Sequence, residues 1–305
     1  MIIRPNQHWF LRLFDWHGSV LSKITFRLFL NILMSIVAII IYQWYEQLGI
    51  HLTIAPFSLL GIAIAIFLGF RNSASYSRFV EARMLWGTLL IAERTLLRQL
   101  KNLLPEDKKN HEEIAKYLIA FSWSLKHQLR NTDPTADLYR ILPREAFSEI
   151  IASPMPTNRV LLLLGDEIGK LRLAGKLSDV TYKMLDNKLD ELAHVLGGCE
   201  RIANTPVPFA YTLILQRTVY LFCSLLPFAL VSDLHYMTPF VSVFISYTFL
   251  SWDSLAEELE DPFGTSANDL PLNAICNTIE RNLMEMNNQK PLPALLKPDR
   301  YFNLI

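Results

Sequence analysis

The side chains that could do chemistry are present in this chain but do not converge in sequence. Its seven histidines are His8, His17, His51, His111, His127, His194 and His235, and no two of them form an HExxH pair. His111-Glu112-Glu113 reads as a solvated helix start. The three cysteines, Cys199, Cys223 and Cys276, have no CxxC spacing and leave one unmatched, so each reads as a small buried hydrophobe. There is no GxSxG, Walker loop or GxGxxG. Gly197-Gly198 follows a helical pattern and reads as a helix end. The densest oxygen cluster is Glu257, Glu258, Glu260, Asp261 and Asp269, around Pro262-Phe263-Gly264. A calcium loop of the EF-hand type needs alternating oxygens, Gly at the sixth position and Glu at the twelfth. That spacing is absent, and TSAN follows Gly264. No catalysis, metal or cofactor is expected.

What remains is the chemistry of solvation. Pro56 to Arg71, PFSLLGIAIAIFLGFR, carries no charge before Arg71. Ile62, Ile66 and Phe70 recur at i, i+4 and i+8, and Gly61, Ala65 and Gly69 form a row one position behind. On a helix these rows are adjacent stripes. Small residues every four let helices approach closely in a membrane. One edge of this helix suits contact with a neighbour, and the next carries large apolar side chains.

The elements that must position these rows are membrane helices. Of 305 residues, 51% are hydrophobic and only 19% charged, against about 25% charged in ordinary soluble domains. Lys+Arg and Asp+Glu are equal at 29 each, which gives no footing for a nucleic-acid partner. About 20 apolar residues span a bilayer. Leu28–Tyr45 and Ile54–Phe70 are the first two spans, with Glu46–Thr53 between them. No Lys or Arg occurs from Arg27 to Arg71, so the positive-inside rule puts that connection outside and both flanks in the cytosol. The second helix has no Pro or Gly cluster to stop it before Pro105. Pro208–Val231 and Pro239–Trp252 are the third and fourth spans, turning at Asp233 and His235. Arg217 lies in the third span near its cytosolic end, and snorkelling is favoured over a buried partner.

Five segments follow from this pattern. Residues 1–27 are cytosolic or interfacial, with Trp9, Phe10, Phe14 and Trp16 alternating with basic residues. This fits a helix at the membrane surface, a helix packed on its own protein, or both. No secretory signal is read there, because the basic stretch is overlong and no A-x-A site follows. Residues 28–70 hold the first two spans. Residues 71–206 form a helical cytosolic domain, with amphipathic segments at about 106–131, 135–152, 157–174 and 178–204. Residues 207–252 hold the last two spans. Residues 253–305 form a cytosolic tail with a helix from Asp269 to about Met286. Pro291, Pro293 and Pro298 then favour an extended arm able to dock on a neighbouring subunit. For Arg71, Arg78 and Arg83, ion pairing with Glu81 or a neighbour's acid is favoured over lining a vestibule.

Four stretches, in order, resemble the bestrophin family and its bacterial branch. They are LFDWHGSVLSKI, FLGFRNSASYSRFVEARMLWG, VPFAY at 207–211 and AEELEDPFG at 256–264, and they anchor the chain from residue 9 to about 285. The resemblance implies an all-α membrane protein with four transmembrane helices and a helical cytosolic domain, a homopentamer around a central pore. It places the pore neck at Ile62, Ile66 and Phe70, and a cytosolic aperture at Val180. It implies a channel for small monovalent ions in the bacterial inner membrane, with both termini cytoplasmic. Chloride is the ion of animal relatives, but an uncharged neck does not fix the sign, and cations stay open. Two departures matter. Phe79 and Val80 stand where relatives often carry Trp, and the acidic run that binds calcium in animal members is missing after PFG. Calcium activation is therefore not expected. The alternatives are a secondary transporter, which would want an intramembrane ionisable pair, and a membrane-anchored helical scaffold without flux.

Overall fold

The computed structural model describes residues 1–305 apart from 5–7, 9, 11–14, 50 and 51. Trp9 and Phe14, half of the aromatic set read as interfacial, lie outside the described residues. Among those described, ten α-helices carry the fold, and β-pairing is confined to an isolated bridge, Ile2 with Asn303. The helices are α1 Leu21–Gln47, α2 Ile54–Leu103, α3 Lys108–Arg130, α4 Thr135–Ile141, α5 Arg144–Ile151, α6 Pro156–Leu173, α7 Asp179–Asn204, α8 Phe209–Leu234, α9 Thr238–Glu260 and α10 Leu272–Met286. They fall into two units. One comprises Arg4–Phe79 with Pro206–Asp261, the other Met1–Ile3, Val80–Thr205 and Pro262–Ile305.

The first unit contains the stretches long and apolar enough to cross a membrane, in Leu21–Trp44, in the α2 helix and in Phe209–Glu260. The last of these is two helices, α8 and α9, joined by a 3-10 turn at His235–Met237. Helix α1 packs on α8 and α9, and α8 on α9. Ile24, Ile64, Leu68, Val219, Phe222, Leu226 and Leu250 form the shared core. Polar groups inside this apolar bundle must bond to one another. Asn31 does so, donating to the Cys223 carbonyl at 2.7 Å and accepting from the Ser242 hydroxyl at 3.0 Å. Thr238, Ser242 and Ser246 recur every four residues on α9 and are all fully buried, a small-residue row that lets α9 sit close to its neighbours. Large side chains on the outside stay exposed, among them Phe26, Phe29, Leu33, Ile36, Ile40 and Trp44 of α1. That is the disposition of a bundle whose solvent is lipid. Arg217 is exposed on α8.

The second unit is built around α3, which is buried from Tyr117 to His127 without a break and so has neighbours on every side. These are α4, α6, α7 and α10. Asp107 caps α3, and Ser178 caps α7 by accepting from the Thr181 amide at 3.2 Å. Three sequence expectations are corrected here. The segment 135–152 is two helices, because Leu142 is extended and Pro143 cannot continue the first. His111 is not solvated but 3% exposed, against α10's end, where the Asn287 amide donates to its carbonyl at 3.2 Å. Gly197-Gly198 ends no helix but lies inside α7. A methyl at Gly198 would sit 2.9 Å from both terminal carbons of Leu85, so close approach of α2 and α7 explains that glycine. At the end of the C-terminal arm the Leu304 amide donates to the Met1 carbonyl at 2.8 Å, and Ile3 to the Phe302 carbonyl at 2.9 Å.

Candidate pore-lining helix

Helix α2 runs 50 residues without interruption, about 75 Å at 1.5 Å per residue, while the hydrocarbon core of a bilayer is about 30 Å. The apolar stretch is therefore its first five turns, and the remainder is the amphipathic continuation expected from the sequence. Within those turns the helix presents a free face and a packed face. Ile62, Ile66 and Phe70 are 61%, 54% and 64% exposed, while Ile64, Leu68, Arg71 and Ser75 are at most 2% exposed. The three residues assigned to the neck thus lie together on the free face of one helix, and none is spent on the bundle core.

The small-residue row divides. A methyl at Gly61 would lie 3.5 Å from the Phe222 ring of the same chain, whereas a methyl at Gly69 would meet nothing within 4 Å. Ala65 is half-buried. Gly61 admits Phe222 of α8, and Gly69 leaves an open edge. Val180, in the first turn of α7, is 81% exposed and does not belong to a core.

Arg71 has a partner that the sequence reading missed. Its side chain, 0% exposed, donates from Nη1 to Oδ1 of Asp253, itself 0% exposed. Glu260 Oε2 stands 3.8 Å from Nη2. The Arg78 Nε donates to the Glu260 carbonyl at 3.2 Å, and the Val207 amide donates to Glu260 Oε1 at 3.2 Å. The Asn72 amide donates to the Trp252 carbonyl at 3.1 Å. Glu81, the expected acid, instead pairs with Arg201. A signal for Asp253 was available: it is the first charge after a long apolar run, and a charge at the edge of a span marks either an end or a partner.

The acidic cluster disperses. Glu258 pairs with Lys23 at 3.0 Å, Glu260 serves Arg71 and Val207, and Asp269 accepts from the Ser266 amide at 2.6 Å within its own loop. Among the described residues no three His, Cys, Asp or Glu groups are placed to hold a metal. The loop at 262–271 is held by a side-chain cation. The Arg130 guanidinium donates to the Phe263 carbonyl at 3.1 Å, the Leu270 carbonyl at 3.2 Å and Asn273 Oδ1 at 3.3 Å. The cysteines are all buried, and burial pushes the Cys199 thiol up to about 12, out of nucleophilic range.

A protein-family model described as bacterial/fungal bestrophin matches residues 1–285. A protein of Salmonella typhi named as voltage-dependent anion channel-forming is 58% identical over 304 residues, covering 100% of both chains. One of the same name from Escherichia coli strain K12 is 57% identical with the same coverage. Another from Ralstonia nicotianae is 42% identical, covering 96% of each chain. The solved structure of a bacterial bestrophin homolog from Klebsiella pneumoniae matches with a TM-score of 0.87 at 81% identity, covering 88% of this chain and 100% of that one.

Proposed function

We propose, since this chain belongs to the bacterial and fungal bestrophin family, that it is a homopentameric channel for small monovalent ions, with anions favoured by the names its relatives carry. The observation that carries this reading is the free, uncharged row of Ile62, Ile66 and Phe70 on a helix whose other face is packed. Five copies of that row around an axis would make an apolar throat. Such a throat gates by losing and regaining water, or by small side-chain shifts. Val180 would form a second narrow point at the cytosolic aperture. Gly69, and Ala65 behind it, leave an edge on which a neighbouring second helix can pack.

The topology proposed is four spans, with α8 and α9 crossing separately, in the bacterial inner membrane with both termini in the cytoplasm. The gap without Lys or Arg between Arg27 and Arg71 supports it. The sign of the ion must be set away from the neck, by charged rings in the vestibules. Purified protein in liposomes, under opposed gradients of chloride and potassium, tests function and sign together. Passive, non-saturating chloride flux is the expected result. Saturable coupled flux would favour a secondary transporter, and no flux would leave a scaffold. Native mass in detergent tests the pentamer.

The channel is also proposed to work without calcium. In the loop at 262–271 the Arg130 guanidinium already supplies the positive charge to which carbonyl oxygens turn, and a divalent ion would have to compete with a tethered one. Flux titrated with calcium from nanomolar to millimolar should stay flat. A sharp calcium dependence would overturn this element of the reading and leave the channel itself standing.

A further inference from the structure

We infer that the buried ion pair of Arg71 and Asp253 is the pin that fixes the rotation of α2, and so keeps Ile66 and Phe70 on the pore-facing side. This rests on the channel reading above. The outward row, Ile62, Ile66 and Phe70, is as apolar as the inward row, Ile64 and Leu68. In water, burial would reward whichever row packs better. In a bilayer both sides of the helix are apolar, and the hydrophobic effect distinguishes little between them. Packing of Ile64 and Leu68 on Val219, Phe222 and Leu250 is non-directional and leaves alternative rotations close in energy.

Arg71 breaks that near-degeneracy. It continues the inward row one turn below Leu68, and Asp253 lies one turn below Leu250, so the pair extends the packed seam of α2 against α9 by one polar contact. Rotating α2 by one residue, about 100°, would withdraw Arg71 from Asp253 and break the buried pair. Phe70 precedes Arg71 in a rigid helix, so its direction follows from where Arg71 is held. The Asn72 amide bond to the Trp252 carbonyl, at 3.1 Å, ties the same two helices a second time.

The pair is not built for stability alone. Arg71 Nε and Nη2, and Asp253 Oδ2, are buried without a hydrogen-bond partner among the described residues. A pair left half-satisfied costs desolvation that well-packed apolar residues would not, and its best-attested use is to specify register.

The test separates register from folding. Asp253→Asn leaves the buried cation with only the more distant Glu260, 3.8 Å away, and is liable to misfold. The neutral double variant Arg71→Met/Asp253→Leu removes both charges, keeps a long unbranched side chain at 71 and the γ-branched shape at 253, and should still assemble. Each is combined with Phe70→Cys in liposomes, and labelling of the introduced thiol by a charged reagent is followed, with the three native cysteines buried. The expected result is a double variant of wild-type native mass in which the introduced thiol labels about tenfold more slowly, as the position turns away from the aqueous path. The permeability of a large anion relative to chloride should shift with it. Wild-type mass with unchanged labelling and unchanged permeability would overturn the pin. If the neutral variant cannot assemble while the charge-swapped Arg71→Asp/Asp253→Arg assembles and labels at the wild-type rate, the pin stands. If neither assembles, rotation is not separable from folding and the inference fails. Failure of the channel reading is a different result: the unsubstituted protein itself passes no ions.

Discussion

Ile66→Ala should raise ion flux through reconstituted protein by about tenfold or more, with little loss of stability. Each copy loses three carbons from the narrow section of the proposed throat. Apolar surface resists hydration by about 0.8 kcal/mol per methylene, and a barrier lowered by about 1.4 kcal/mol is crossed tenfold faster. Five copies acting on one constriction exceed that readily, even if each contributes only a fraction of its transfer energy. The stability half of the prediction comes from exposure. Ile66 is 54% exposed, so its removal opens no cavity in its own chain, whereas Ile64, two residues earlier, is 2% exposed in the bundle core. Ile64→Ala should therefore cost about 2–5 kcal/mol of stability and leave the throat lining intact. Flux in liposomes and thermal unfolding in detergent, measured on both variants, give opposite patterns. Unchanged flux in alanine variants of Ile62, Ile66 and Phe70 would remove the neck from these residues. Val180→Ala should act in the same direction but more weakly.

The contrast between Ile64 and Ile66 also shows where sequence reasoning stops. The span of α2 and its long continuation were legible, because no charge occurs before Arg71 and no Pro or Gly cluster breaks the pattern before Pro105. The spacing of Ile62, Ile66 and Phe70 was legible as a stripe. Which stripe faces outward was not, since both rows are apolar. The fourth span was read as Pro239–Trp252, with no role for Asp253. The helix that carries this span continues to Glu260, and Asp253 within it is answered by an arginine 182 residues earlier. Periodicity carries no information about a partner at that distance. His111 and Gly198 failed for the same reason. His111 does stand in the first turn of α3, but its burial, like the place of Gly198 inside α7, is decided by a neighbour, Asn287 or Leu85, on a distant segment. Val180 was reached only through family resemblance, as a lone valine at the start of a helix has no local mark.

Arg140→Ala should be among the most destabilising single changes in the second unit, at about 3 kcal/mol. Arg140 makes a bidentate pair with Glu280, 2.5 Å from Nη1 to Oε1 and 2.8 Å from Nη2 to Oε2. The Glu280 side chain is only 5% exposed, and it also accepts from the Trp123 indole at 2.8 Å. Arg140 lies over that indole ring, 5.2 Å from the centroid, and its Nε donates to Asp137 at 3.3 Å. Removing the guanidinium leaves a buried carboxylate with one neutral donor, which costs far more than an exposed pair. Arg159 with Glu149 is such a pair, 37% and 43% exposed, and Arg159→Ala should cost no more than about 1 kcal/mol. The Arg140 side chain is itself 43% exposed, so water can reach its place, and the cost should fall at the lower end for a broken buried pair. The pH dependence follows from Asp137. Burial acts to raise its carboxyl, but the His127 hydrogen bond and the charges of Lys126 and Arg140 outweigh it and hold the group below its ordinary value. A depressed carboxylate stabilises the fold above its unfolded pKa, and that contribution is lost as pH falls through the lower, folded value. Without Arg140 the depression shrinks, so the contribution is smaller and disappears at a higher pH. Unfolding curves of the parent and Arg140→Ala should therefore stand apart at neutral pH and draw closer as acid protonates Asp137. A gap that stayed constant from neutral pH down into the acid range would mean that Arg140 acts by packing on Trp123 and not through charge.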